Sequence, residues 1–140
     1  MAPDHAVAIR RLYQDVWNGE NPTIADEFIH EDYLIHDRDL ADHLRGAELY
    51  RTLAAGTREA FPDATFSIND IFESGDKVAL RWTMTGTHEG TVLGIEPTLQ
   101  EVSIDALEIN RFEDGQLIET WTQADELKLM EQLGGLHRPE

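Results

Sequence analysis

The chain has 140 residues, 41% apolar and 28% charged, with no cysteine, which fits one domain with a real core and excludes disulfides and thiolate sites. Twenty-eight acids against eleven bases leave a net charge of −17, which repels phosphate backbones and anionic lipid and so argues against nucleic acid or membrane as partners. No apolar run nears the ~18 residues of a membrane span, and the N-terminus lacks the basic-then-apolar order of a secretory signal, so a cytoplasmic protein is expected.

The acids are spread along the chain instead of gathered in a tail, which points to a folded acidic surface. Self-repulsion of this size loosens a compact fold at low salt and is screened at high salt, so the composition predicts a halophilic protein.

In chain order, Ile9, Leu12, Tyr13, Val16 and Trp17 follow the i, i+3, i+4, i+7, i+8 spacing of an amphipathic helix closed by Asn18-Gly19. Asn21-Pro22 reads as an N-cap with proline at the first helical position, followed by Ile24, Ala25, Phe28 and Ile29 as a short apolar face. "DYLIHD" predicts a brief strand. A third helix from Gly46 carries Leu49, Tyr50, Leu53, Ala54, Ala60 and Phe61 and ends before Pro62.

Beyond Pro62 the pattern becomes alternating. "ATFSINDIFESGD" turns at Ser74-Gly75-Asp76, and "KVALRWTMTGTHEG" sets Val78, Leu80, Trp82 and Met84 against Arg81, Thr83 and Thr85. "LQEVSIDALEINRFEDGQ" forms another long strand, Asp114-Gly115 the next hairpin turn, and the last strand runs to about Gln123. A closing helix bears Leu127, Met130 and Leu133 and stops at Gly134. Three helices and then four long strands predict a single α+β domain over residues 1–140, a curved antiparallel sheet wrapped around the N-terminal helices.

No metal site is read: His30 and His36 in "HEDYLIH" are six apart on a strand-like segment, where a zinc helix needs two His four apart. The glycines of "GTHEGTVLG" lack the strand-to-helix setting of a nucleotide loop. If alternation runs unbroken, Leu117, Glu119, Trp121, Gln123 and Asp125 share one side of the last strand, opposite Thr120, Thr122 and Ala124. A face of Glu, Trp, Gln and Asp suits a pocket, apolar walls with a few placed polar groups. Trp82, Met84 and His88 share a parity on a neighbouring strand and predict a second wall.

Each candidate also has a plain structural reading: Asp125 as N-cap of the last helix, His88 as a hydrogen-bonded strand-end residue, His36 as half-buried. The roles of Asp125 are compatible, because cap bonds and the helix dipole hold a carboxylate ionised, as a base requires.

"FPDATFSINDIFESGDKVALRWTMTGTHEG", then "EPT", then "INRFEDGQLIETWTQADELKLMEQLG" strongly resemble the SnoaL-like polyketide cyclases, curved-sheet cones of the nuclear transport factor 2-like superfamily. The resemblance covers essentially the whole chain. It is most specific at Phe61-Pro62-Asp63, at Gly86-Thr87-His88 with Gly90, and at Glu119-x-Trp121-x-x-x-Asp125 ahead of Gln132-Leu133-Gly134. It implies Asp125 as acid/base of an intramolecular aldol closure without metal or cofactor, and His36 and His88 as rim partners that polarise a carbonyl. Trp82 and Trp121 would be flat walls, with Gln123, Tyr33 and Met84 also lining the site.

The ligand expected is a small apolar or aromatic carbonyl compound, and the assembly a homodimer through the convex face of Arg81, Thr83 and Thr85. The fold also hosts isomerases, dehydratases, epoxide hydrolases and non-catalytic binders, which stay open. The chain departs from the family at Leu99-Gln100 after Pro97-Thr98, where glycine and a base are usual, and at Arg38 after Asp37, where proline is usual.

Overall fold

A computed structural model describes residues 4–36 and 44–134 of the chain. Helix α1, His5–Leu12, starts at Asp4, whose carboxylate accepts from the Val7 N–H at 3.1 Å, satisfying one of the free amides of the first turn. It runs on into a wider π turn, Tyr13–Trp17, in which Tyr13 and Val16 are buried. The Asn18 side-chain amide then pairs with both backbone groups of Phe66, at 2.6 and 2.8 Å, and ties the helix end to the sheet. Gly19 follows because a Cβ there would stand 2.7 Å from the Asp15 carbonyl oxygen.

A 3₁₀ turn, Pro22–Ile24, leads to the one-turn helix α2, Ala25–Phe28, and then to strand β1, Ile29–His36. Helix α3, Gly46–Ala60, buries Leu49, Tyr50, Leu53 and Ala60 at helical spacing. The meander follows as β2 (Thr65–Ser74), β3 (Lys77–Thr87), β4 (Glu101–Glu113) and β5 (Gln116–Ala124), closed by helix α4, Glu126–Gln132. Asp114 and Gly115 both take positive φ in the β4–β5 turn, the conformation that suits a tight hairpin.

The sheet order is β1-β5-β4-β3-β2. Strands β2 to β5 are antiparallel neighbours, as the alternating segments predict, while β1 adds to β5 in parallel and makes the curved sheet mixed. Helix α3 carries the chain from that edge to the opposite one, where the meander begins. The core, with Ile9, Leu12, Tyr33, Val78 and Leu117 almost fully buried, forms between the helices and the concave sheet face.

One irregularity decides what faces that core. Phe112 pairs with Leu117 but Arg111 pairs with Glu119, so Ile118 is an extra residue in β5. A one-residue bulge reverses which side chains point inward. Leu117 and then Thr120 and Thr122 are buried, while Gln123 is exposed. The unbroken alternation expected from Leu117 to Asp125 is therefore corrected: Glu119, Trp121 and Gln123 belong to the outer face.

Candidate active site

Between the concave sheet face, the π turn after α1 and helix α3 lies a cavity of about 290 Å³, walled by the rings of Tyr13, Trp17, Tyr33, Tyr50, Phe66 and Trp82. Leu49, Leu53, Met84, Ile104 and Leu129 add to its apolar lining. The volume lies at the small end of ligand pockets and equals about ten water molecules at ~30 Å³ each. Leu93 and Glu126 line it too and are exposed, which marks the side open to solvent.

One carboxylate lies deep in this cavity. Glu108 sits in β4 opposite Thr122 of β5 and Leu80 of β3, on the inward parity. Four groups donate to it: Tyr13 Oη at 3.0 Å, Trp82 Nε1 and Thr122 Oγ1 at 3.3 Å, all to Oε1, and Asn110 Nδ2 at 2.9 Å to Oε2. The network continues outward from Asn110, whose Oδ1 accepts from Thr120 at 2.7 Å, and Thr120 accepts from Tyr33 at 3.0 Å. Burial raises the Glu108 carboxyl above its ordinary range, and the bonds from Asn110, Tyr13, Trp82 and Thr122 pull partway back. Glu108 keeps some accessible surface although protein surrounds it, because that surface faces the cavity.

Tyr50 supplies a second polar group. Its hydroxyl accepts from Trp17 Nε1 at 2.6 Å, and its ring meets those of Trp17 and Tyr33 edge-on. Burial, followed by the fields of Tyr33 and Glu108, drives its phenol well above the ordinary value, so it stays protonated.

Of the residues singled out from sequence, Tyr33, Trp82 and Met84 line the cavity. Asp125 does not: it is exposed and caps α4, accepting from the Lys128 N–H at 3.0 Å, while Ala124 and Glu126 beside it reach the lining. Gln123 is exposed opposite Leu107 on the outer face. His36 and Trp121 do meet, with ring centroids 4.8 Å apart, but on that same outer face, where His36 Nε2 reaches Glu119 at 2.7 Å. Arg111 joins them at 2.5 Å, and His36 first, then Arg111, holds the Glu119 carboxyl below its usual range.

His88 is fully buried but lies behind the cavity wall, tilted on Phe61 at 5.8 Å. Its Nδ1 accepts from the Thr98 N–H at 3.1 Å, which fixes the departing Pro97-Thr98-Leu99-Gln100 stretch as a strap, with Leu99 N–H donating to the His88 carbonyl at 2.9 Å. The Asp37-Arg38 departure lies outside the described residues. The most specific stretches of the resemblance also serve the frame: Asp63 accepts from Thr87 N–H at 2.7 Å and Thr87 Oγ1 at 2.8 Å, which lowers its carboxyl pKa. A Cβ on Gly86 would stand 3.1 Å from the Phe61 Cβ, and one on Gly90 only 2.4 Å from the Glu59 carbonyl oxygen. Glycine lets α3 and β3 close together there.

Glu108 escaped the sequence reading, although a signal exists. Val102, Ile104, Ala106, Glu108, Asn110 and Phe112 share one parity, so Glu108 and Asn110 interrupt an apolar column, the mark of buried polar groups with a task. Leu107 and Ile109 on the opposite parity hide it.

A model described as SnoaL-like polyketide cyclase matches residues 7–133. Aklanonic acid methyl ester cyclase AcmA of Streptomyces galilaeus is 28% identical over 115 residues, 81% of this chain and 79% of AcmA. Among solved structures, IdmH of Streptomyces antibioticus, a proposed polyketide cyclase, is 31% identical with a TM-score of 0.78, covering 94% of this chain and 99% of its own. TsrD of Streptomyces laurentii reaches a TM-score of 0.86 at 25% identity, over 97% of this chain and 99% of its own.

Proposed function

The chain belongs to the SnoaL-like polyketide cyclase family, and from that premise we propose that it closes a ring in a small apolar carbonyl compound, with Glu108 as the base. The observation that carries this reading is the buried carboxylate among aromatic walls, held by four donors. A carboxylate whose proton affinity is raised by burial is a stronger base than one in water, and its position is fixed. Glu108 takes a proton from a carbon between two carbonyls, and the C–H electron pair becomes an enolate. The enolate carbon attacks another carbonyl carbon of the same molecule and forms the C–C bond. The resulting alkoxide recovers the proton from Glu108. The cyclase activity named for AcmA supports the reaction class.

Asp125 is the competing base, and one experiment separates the two. Deuterium exchange at the acidic carbon of a small aromatic 1,3-diketone is followed by NMR in the parent, Glu108→Gln and Asp125→Asn proteins. Glu108→Gln is expected to lower the catalysed exchange by about 10² or more, and Asp125→Asn to leave it in place. The reverse ranking would sink the assignment and return the role to Asp125.

We also infer a homodimer through the outer sheet face. Phe72 (68% exposed), Leu107 (61%) and Ile109 (45%) stand there beside Trp121, in adjacent registers across β2, β3, β4 and β5. Lys77, Arg81 and Arg111 are on the same face, where Arg81 pairs with Asp70 and Arg111 with Glu119, so part of its acidic charge is already offset when two copies meet.

A further inference from the structure

We propose that Tyr50 is the hydrogen-bond donor that holds the substrate's carbonyl oxygen, and the enolate oxygen that forms from it. The inference rests on the reading of Glu108 as base and adds the group that works opposite to it. Tyr50 projects from α3 into the cavity, across from the sheet that carries Glu108. Its oxygen already accepts from Trp17 Nε1 at 2.6 Å, which fixes the hydroxyl in place. A phenol has one proton to donate, and among the described residues no acceptor takes it. Tyr50 lines the cavity, so this proton is left for a ligand bound there.

The bond from Trp17 has a second effect, since a hydroxyl that accepts a bond polarises its own O–H and donates more strongly. The proton stays on Tyr50 throughout, because burial and the nearby Glu108 carboxylate disfavour the phenolate. Tyr50 therefore stabilises negative charge on oxygen without transferring a proton, which complements a base that removes one from carbon. The other tyrosine hydroxyls and the strand hydroxyls on the walls are occupied: Tyr13 and Thr122 donate to Glu108, Tyr33 donates to Thr120, and Thr120 donates to Asn110. A flat ligand of one or two rings fits the volume and stacks on the aromatic walls with a carbonyl towards α3.

The test uses 2-acetylnaphthalene, whose carbonyl stretch reports hydrogen bonding, bound to the parent, Tyr50→Phe, Trp17→Phe and Glu108→Gln proteins. In the parent the stretch should fall below its position in an alkane. Tyr50→Phe should return it towards that position and weaken binding about three- to tenfold, the loss of one hydrogen bond. Trp17→Phe should keep part of the lowering, because the donor remains but loses its polarising partner. Glu108→Gln should leave the stretch lowered. A stretch that does not move in Tyr50→Phe, with the ketone still bound, would overturn the role of Tyr50 and leave Glu108 untouched. Undiminished diketone exchange in Glu108→Gln would instead overturn the base and leave the Tyr50 bond standing. A ketone that fails to bind the parent would overturn the role of Tyr50 as carbonyl donor, while the diketone exchange decides that of Glu108.

Discussion

The Tyr13 hydroxyl donates to Glu108 Oε1 at 3.0 Å, joining the π turn after α1 to the middle of β4. The bond favours the ionised carboxylate and so lowers its proton affinity against the opposing pull of burial. Tyr13→Phe removes the bond and keeps the ring. The Glu108 carboxyl should then titrate at higher pH, and the acid limb of the diketone exchange rate, which follows the carboxylate, should move the same way. A pH–rate profile of both proteins measures it; an acid limb that stays put or moves down would show that Tyr13 does not tune Glu108.

Asp125 caps α4 through the bond from the Lys128 N–H. Asp125→Ala should cost about 1 kcal/mol of stability, the usual loss for an N-cap, read from the urea midpoint at constant slope. Affinity for 2-acetylnaphthalene should not change, because the cavity lining passes through Ala124 and Glu126 instead. A loss of affinity without a loss of stability would give Asp125 back to the site.

The frame of the molecule was largely legible. Helical spacing found α1 and α3, the Asp114-Gly115 and Ser74-Gly75-Asp76 turns divided the strands, and alternation in β3 gave its inward face correctly, with Val78, Leu80, Trp82 and Met84 buried. The site was less legible for two physical reasons. First, alternation counts residues, and the extra Ile118 breaks the count just before the stretch that mattered. Second, hydrophobicity normally marks the inside, and here the inside of β5 is Thr120 and Thr122 because the Glu108 network needs hydroxyls, while Trp121 is outside. Nor does a strand sequence say that a tyrosine from a helix will donate to its glutamate, a contact 95 residues apart. That pairing exists only once α1 lies across the sheet.

The outer-face patch gives a prediction about assembly. Ile109 pairs with Ala79 on one side and Trp121 on the other, so a charge at position 109 falls in the middle of the apolar row. Sedimentation equilibrium should find the parent dimeric at micromolar concentration and Ile109→Glu monomeric, with an unchanged far-ultraviolet circular dichroism spectrum. A parent that sediments as a monomer would refute the dimer.

The charge of −17 predicts a response to salt. Surface carboxylates repel over the Debye length, about 10 Å at 0.1 M ionic strength and about 3 Å at 1 M. The melting temperature should rise between dilute buffer and molar potassium chloride, and most of the rise should come at the low end, where screening changes fastest. Differential scanning calorimetry across that range decides it, and a flat or falling melting temperature would remove the halophilic reading.

Glu108 itself should make stability depend on pH, with a sign opposite to that of ordinary surface acids. Its carboxyl is raised in the fold, so the folded chain holds the proton more tightly than the unfolded one. Below the unfolded value of about 4.3 both states are protonated and the group contributes its full favourable share. As pH climbs through the folded value the folded chain must ionise a buried group, and that share is lost. Glu108→Gln cannot ionise. Any cost of fitting an amide among the same donors is constant with pH, so it drops out of the slope. The stability of the parent minus that of Glu108→Gln, from urea unfolding at a series of pH values, should therefore decline from acid to neutral pH and then level. An exposed acid of the same strand, in the variant Glu101→Gln, corrects for the general relief of negative charge. A difference that instead grows with pH would mean that the four hydrogen bonds outweigh burial, and that Glu108 is held as a weaker base than a carboxylate in water.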